Sequence, residues 1–206
     1  MKTARFVLGA YLFLLLVGCQ SPLTEAEQRI KSEILKSRAE KDSLFQVADW
    51  SPIPENERSD FNGLNYFAVD LQWRFEGPIV TFHSLIRDTI VGTKGDLRPA
   101  MRYGYFEFTV NKKPARLEIY KIIRSDTAYQ DYLFLGFTDR TTGKSTYGTG
   151  RYIDLSIRQD NHYIIDFNKA YNPYCAYNPG YTCAIPPDEN ALPFAVEAGE
   201  KVYKDH

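Results

Sequence analysis

Two aspartates in the C-terminal third of the chain, Asp154 and Asp166, have the spacing that most directly suggests chemistry. Each lies in a segment of alternating apolar residues, 152–158 and 162–167, and a three-residue turn at 159–161 would pair these segments with their apolar side chains on one face. That register places the two carboxylates opposite each other, with about 5 Å between Cβ atoms. Such a pair can share acid and base roles or bind a divalent metal ion through oxygen.

Arg151 and Asp139 extend this candidate group. Arg151 lies beside the predicted carboxylate pair and could compensate or stabilise negative charge, while Asp139 begins the glycine-rich turn that leads into the hairpin. The catalytic candidates are therefore Asp154, Asp166, Arg151 and Asp139, and the metal-ligand candidates are Asp154 and Asp166. In the alternative interpretation, one aspartate of the pair caps a turn while the other pairs with Arg151, in a buried network that only orders the loops. The sequence requires no cofactor, although it is compatible with a divalent metal.

Polar and aromatic side chains in the surrounding loops form a candidate binding surface. Tyrosines offer contact area at a low entropic cost, and asparagines can orient a ligand through hydrogen bonds. The predicted binding residues are Tyr152, Asn168, Tyr171, Asn172, Tyr177 and Asn190.

Cys175 and Cys183 are separated by seven residues and are the only cysteines after Cys19. If the protein lies outside the reducing cytosol, this spacing favours a disulfide between them. The alternatives are weaker: a zinc site lacks its other ligands, and a nucleophilic Cys175 lacks an evident base.

The N-terminus explains why an oxidising compartment is expected. Lys2 and Arg5 precede an apolar run that ends at Gly18 and Cys19, and this arrangement resembles a bacterial lipoprotein signal. The run is too short to span a bilayer. Residues 1–18 are thus predicted to be a signal peptide.

Cleavage would leave Cys19 as the lipidated N-terminus, held to a membrane by fatty acyl chains such as palmitate. The expected location is the bacterial cell envelope. Gln20 follows the cysteine, and the absence of an aspartate there favours the outer membrane. The alternatives are an uncleaved anchor and an ordinary secretory signal.

The rest of the chain divides into a leader, helix and loop over residues 20–63 and a single β-rich domain over residues 64–201. Thr24 and Glu27 have capping-box spacing and predict an amphipathic helix that ends near Phe45. Proline and glycine then predict a loop to residue 63. Strands are predicted at 67–76, 79–87, 103–110, 117–123, 132–138, 152–158, 162–167 and 192–196.

This series of strands at hairpin spacing predicts a mainly β fold, either an antiparallel β-sandwich or a barrel, with one N-terminal α-helix outside it. The net charge is −1, and no basic stripe is present. Nucleic acid is therefore not an expected partner. The expected partners are the membrane, through the lipid on Cys19, and a small molecule or another envelope protein.

A series of short motifs makes the C-terminal half recognisable. These are Phe137-Thr138-Asp139, Thr142-Gly143, Thr146-Tyr147-Gly148, Gly150-Arg151-Tyr152, Asp166-Phe167-Asn168, Ala170-Tyr171-Asn172-Pro173, Cys175-Ala176-Tyr177, Cys183, Ile185-Pro186-Pro187, Glu189-Asn190 and Ala198-Gly199-Glu200-Lys201. They resemble the bacterial domain of unknown function 1684 family, with Ala184 departing from the proline expected there. The resemblance implies a common fold and surface and no particular reaction.

Three hypotheses for function follow from the sequence. The first is a lipid-anchored envelope protein that binds a ligand or partner through its loop face. The second is an envelope hydrolase that uses Asp154 and Asp166, with or without metal, with Arg151 stabilising charge and Asn168 orienting the substrate. The third is a purely structural envelope protein.

Overall fold

A computed structural model of the chain describes residues 22–123, 126 and 129–204. The predicted signal peptide and the predicted lipidation site, Cys19, lie outside these residues. No helix in the described ranges is long and apolar enough to cross a membrane.

The first element is a long helix, α1, which spans Glu25–Val47. It begins with the predicted capping box: the backbone N–H of Glu27 donates to Thr24 Oγ1 at 3.2 Å, and the Thr24 N–H donates to Glu27 Oε2 at 2.8 Å. Ile34 and Phe45 are its buried side chains. The predicted N-terminal helix is confirmed.

Within the described residues, seven strands form two antiparallel sheets. They are β1 (Arg74–Gly77), β2 (Val80–Val91), β3 (Leu97–Val110), β4 (Lys113–Ile122), β5 (Tyr132–Phe137), β6 (Arg151–Ser156) and β7 (Tyr163–Asp166). The larger sheet, which we call the main sheet, has the order β2-β3-β4-β5-β6, and the smaller sheet pairs β1 with β7. The mainly β fold is confirmed, and in the described residues the sheets stay open rather than closing into a barrel.

The predicted strand over residues 67–76 is wrong for most of its length. Only β1 is a strand, and a 3-10 turn precedes it at Leu71–Trp73. The Asp70 carboxylate accepts from the Gln72 N–H at 2.9 Å, and the Asn168 side chain binds both the N–H and the carbonyl of Asp70. These side chains satisfy backbone groups that a sheet ladder would otherwise use.

The predicted pairing of β6 with β7 is also wrong. Strand β6 pairs with β5, where Asp154 lies opposite Phe134, and β7 pairs with β1, where Asp166 lies opposite Arg74. The apolar side chains of β6 and β7 do share one core, but they reach it from the two facing sheets. An apolar strand face can be buried by packing against a facing sheet as well as within a hairpin. The alternation of apolar residues alone therefore could not distinguish the two arrangements.

The opposite face of the main sheet carries a second buried cluster. It includes Tyr120, Ile122, Phe134 and Tyr152, and the C-terminal loops contribute Ala184. Those loops contain single bridges and 3-10 turns rather than the strand predicted at 192–196. This second face, the loops and α1 surround the site described next.

Candidate functional site

A cavity of about 520 Å³ lies between α1, the second face of the main sheet and the C-terminal loops. We call it the main pocket. Its walls are formed by Ile34, Ser37, Arg38, Lys41, Phe45, Trp50, Tyr66, Arg98, Ile122, Tyr132, Phe134, Tyr152, Asp154, Asn168, Lys169, Ala170, Tyr171, Pro173, Tyr174, Tyr181, Thr182, Cys183, Ala184 and Glu200. Its volume is typical of a site for a small molecule.

Regular spacing in the helix and strands builds these walls. Ile34, Arg38, Lys41 and Phe45 recur every three or four residues and therefore lie on one face of α1. In the sheet, Tyr132 and Phe134 on β5, like Tyr152 and Asp154 on β6, are two residues apart and point to the same side. The pocket is thus a gap between a helix face and a sheet face.

Asp154 is the accessible carboxylate of the main pocket. Its Oδ1 accepts hydrogen bonds from the Tyr132 hydroxyl at 2.9 Å and the Tyr171 hydroxyl at 2.6 Å. Its Oδ2 has no hydrogen-bond partner among the described residues. Burial, reinforced by the negative charge of Asp154, raises the pKa of Tyr171, so that hydroxyl remains a donor.

Glu200, in contrast, is buried and fully occupied. Lys41 Nζ lies 2.5 Å from its Oε1, and its Oε2 accepts from the Asn172 N–H at 2.9 Å and from the Tyr177 hydroxyl. The Lys41 ammonium also lies over the ring of Tyr171, 4.8 Å from its centroid. The ion pair between Lys41 and Glu200 therefore links α1 to the C-terminal segment of the domain.

The two arginines of the pocket are also held by the protein. Arg38 donates to the carbonyl oxygens of Phe67 at 2.8 Å and Asn168 at 2.9 Å, and burial lowers the pKa of its guanidinium. Arg98 forms an ion pair with Asp96 at 2.8 Å and also donates to a loop carbonyl. Both cations therefore have protein partners before any ligand arrives.

Arg151 and Asp139, predicted as catalytic candidates, lie together in the protein interior. Arg151 is 1% exposed, and its Nη2 donates to Asp139 Oδ2 at 2.8 Å and to the Val196 carbonyl at 2.9 Å. Its Nη1 donates to the carbonyls of Ala198 and Glu200. This arrangement holds the C-terminal segment against β6, and it pairs Arg151 with Asp139 rather than with Asp154 or Asp166, as the alternative interpretation of the sequence had it.

Asp166, the other predicted catalytic carboxylate and metal ligand, is buried as well. Its Oδ1 accepts from both the backbone N–H and the side-chain amide of Asn168, each at 2.9 Å, and Arg74 Nε lies 3.9 Å from its Oδ2. It borders a smaller cavity that Asp154 also lines. No group of three or more His, Cys, Asp or Glu side chains placed to hold a metal occurs in the described residues.

The predicted binding residues separate into two sets. Tyr152, Asn168 and Tyr171 line the main pocket. Asn172, Tyr177 and Asn190 are buried away from it. Asn190, for example, donates to the carbonyls of Glu118 at 2.8 Å and Gly136 at 2.7 Å and accepts from the Glu118 N–H at 2.7 Å.

Cys175 and Cys183 are neighbours, as predicted, but both are free buried thiols, so the predicted disulfide is absent from this structure. The Cys175 N–H donates to Cys183 Sγ at 3.0 Å, and the Tyr147 hydroxyl lies 3.6 Å from Cys175 Sγ. A hydrogen bond from the Cys183 thiol lowers the pKa of Cys175 below its ordinary value. Cys183 also lines the main pocket.

Comparison with known proteins places this architecture in a family. Residues 59–201 match the model described as protein of unknown function, DUF1684. The chain belongs to the DUF1684 family.

One solved structure of similar fold is the solution NMR structure of an uncharacterized protein from Haloarcula marismortui. It is 31% identical in sequence, the match covers 88% of this chain and 99% of that one, and the TM-score is 0.66. No curated protein matches. These findings establish the family and the fold and leave the activity of DUF1684 proteins to be inferred from the site.

Sequence reasoning missed the helical wall of the pocket, particularly Arg38, Lys41 and Phe45, and also Arg98 and Tyr132 of the sheet. One signal was present in α1. Two cations and an aromatic ring share the helix face that carries Ile34, whereas a face that only packs against a core is more uniformly apolar. Nothing local distinguished Arg98 or Tyr132 from ordinary strand residues.

Proposed function

We propose that this DUF1684 protein binds a small amphipathic molecule in the main pocket. The observation that carries this proposal is a cavity of about 520 Å³ whose walls are mostly aromatic and aliphatic and contain a few charged groups. Apolar walls provide affinity through burial, and sparse polar groups orient the ligand. Of the three hypotheses from sequence, binding is the one that this geometry favours.

The hydrolase hypothesis is supported less well because its four candidate residues do not meet in the main pocket. Arg151 and Asp139 are buried in a network of protein hydrogen bonds, and Asp166 is held by Asn168. Only Asp154 among the four catalytic candidates lines the main pocket. A general acid and a general base must both reach the reacting atoms, and a lone accessible carboxylate provides one of them.

The proposed location remains the bacterial cell envelope, at the outer membrane, with a lipid on Cys19. Support comes from the sequence of residues 1–19, and α1 begins six residues after the cysteine. Fractionation of cells that express the full chain tests this proposal. The wild type should sediment with membranes, and Cys19→Ala should not; an unmodified Cys19 in the mature protein, found by mass spectrometry, would contradict lipidation.

Ligand binding is testable by blocking the pocket mouth. Ser37 is an exposed residue of α1 on the pocket wall, so Ser37→Trp should fill the mouth without disturbing a core. We expect the wild type to bind the neutral fluorescent probe N-phenyl-1-naphthylamine and Ser37→Trp to bind it at least about tenfold more weakly, which corresponds to about 1.4 kcal/mol.

The matched control is Ser32→Trp, which adds the same ring to an exposed position of α1 outside the main pocket. It should bind the probe like the wild type. Equal binding by all three proteins would place the probe elsewhere, and absence of binding to folded wild type would contradict the proposed function.

A further inference from the structure

We infer that the polar end of the ligand is a positively charged primary ammonium group that docks against Asp154. This inference rests on the proposed function, because it assigns a chemical class to the molecule that fills the main pocket. Three observations support it: the geometry of the Asp154 carboxylate, the aromatic rings that line the same pocket, and the protein partners that the neighbouring cations have.

The Asp154 carboxylate is held in one orientation, and only one of its two oxygens has hydrogen-bond partners among the described residues. Tyr132 and Tyr171 both donate to Oδ1, at 2.9 and 2.6 Å, which fixes the orientation of the group. No described residue donates to Oδ2, and Asp154 forms no ion pair within the described residues. A negative charge on the wall of an aromatic cavity with one open oxygen is suited to a cationic donor.

Aromatic rings supply the second element of an ammonium site. The exposed rings of Tyr174 and Tyr181 line the same pocket, with their centroids 5.3 Å apart. Rings attract cations through the negative potential of their faces, and aromatic cages are typical of organic-ammonium recognition.

The competing choice, an anionic head group, would have to use the cations of the pocket, of which Lys41 is paired with Glu200 and Arg98 with Asp96. Arg38 donates to two backbone carbonyls but forms no ion pair within the described residues, and its buried Nε has no hydrogen-bond partner there. Lys169 is exposed, lines the pocket and has no partner among the described residues. The experiment therefore includes Lys169 as the rival anchor.

The decisive measurement compares three probes of one shape: 1-naphthylmethylammonium, 1-naphthylmethanol and 1-naphthylacetate. Calorimetric titration of the wild type should give the tightest binding for the ammonium, at least about tenfold tighter than for the anion. Asp154→Asn keeps the size of the side chain and removes its charge, so it should weaken ammonium binding about tenfold and leave the alcohol unchanged. Lys169→Met should strengthen ammonium binding slightly by removing a like charge.

The matched control for Asp154→Asn is Asp160→Asn, which removes a surface carboxylate that is paired with Arg158 outside the pocket. It should bind all three probes like the wild type. Tyr171→Phe tests positioning: it should weaken ammonium binding more than alcohol binding, because only the charged head contacts the oriented carboxylate.

The outcomes distinguish the inference from the proposed function. In one outcome, the alcohol binds in the main pocket, so that Ser37→Trp blocks its binding, and the ammonium binds no tighter than the alcohol. The inference is then wrong and the proposed function stands. If the acetate binds best and Lys169→Met abolishes that preference, the head group is anionic and the inference is overturned. If no probe binds to the folded wild type, the proposed function itself fails.

Discussion

Two polar regions of this protein use similar residues for different purposes. In the first, the loop core, Arg151, Asp139 and Asn190 are buried and bind backbone groups of the segments around them. In the second, the pocket wall, Asp154 is accessible and receives two tyrosine hydroxyls on one oxygen only. All four residues were candidate site residues on sequence grounds.

The difference teaches that burial together with existing hydrogen bonds separates the two roles better than residue type does. A guanidinium that is 1% exposed and whose two Nη atoms already serve three carbonyls and a carboxylate has little capacity left for a substrate. A carboxylate with an open oxygen has that capacity. The following experiments test this distinction, from the largest expected effect to the smallest.

The largest effect is expected for Arg151→Met. Removing the guanidinium leaves Asp139 as an unpaired buried charge and several carbonyls without donors, so we expect a loss of about 3 to 5 kcal/mol in the free energy of unfolding. Urea denaturation followed by circular dichroism measures it. Arg158→Met is the matched control, because Arg158 also pairs with an aspartate through two nitrogens but on the exposed surface; it should cost far less stability than Arg151→Met. Equal losses would contradict the distinction.

Asn190→Ala should produce the next largest effect. Its side chain serves the backbone of Glu118 and Gly136, which belong to β4 and β5, and those groups would be buried without partners. We expect a loss of about 2 to 3 kcal/mol, measured by the same denaturation experiment. Asn62→Ala, which removes one exposed hydrogen bond to Asp60, serves as the control. A loss no larger than that of the control would show that Asn190 is dispensable to the loop core.

The pH dependence of Cys175 alkylation should reveal the influence of Cys183. Since Cys183 lowers the pKa of Cys175, the Cys175 thiolate persists to lower pH than an ordinary thiolate does. The midpoint of its alkylation rate against pH should therefore lie below about 8.5 in the wild type and rise by about one pH unit in Cys183→Ala. Peptide mass spectrometry after timed exposure to iodoacetamide gives the rates. Identical profiles in the two proteins would refute the interaction.

The smallest effect on stability is expected for Asp154→Asn, the variant that should matter most for ligand selection. Asp154 is exposed, and asparagine retains an oxygen that can accept from the two tyrosines. The free energy of unfolding should change by no more than about 0.5 kcal/mol. A loss comparable to that of Arg151→Met would show that Asp154 stabilises the fold and would contradict its proposed role in ligand recognition.

Local chemistry made part of the fold predictable. The capping box at Thr24 identified the start of α1, and Asn111, where φ is 50°, lies in the short turn that joins the consecutive strands β3 and β4. Both signals act between residues that are close along the chain. The pairing of β7 with β1 joins segments about 90 residues apart, and no local pattern specifies which distant strand is the partner.

The candidate site was predictable only in part for a related reason. The sequence identified Asp154, Tyr152, Asn168 and Tyr171, which line the pocket, together with Arg151 and other residues that do not. Position relative to the cavity decided between these sets, and it results from how the C-terminal loops fold over the sheet. The helical wall was missed because its contribution depends on where α1 docks.

The docking of α1 has a consequence for motion. Only Ile34 and Phe45 of its 23 residues are buried, so the helix should open from the domain at a lower free-energy cost than the strands of the main sheet. A molecule bound between helix and sheet would hold the closed form and suppress that opening by mass action. Amide hydrogen exchange in α1 should therefore slow on ligand binding more than exchange in β4. The exchange rate of the helix would then indicate whether the main pocket is occupied.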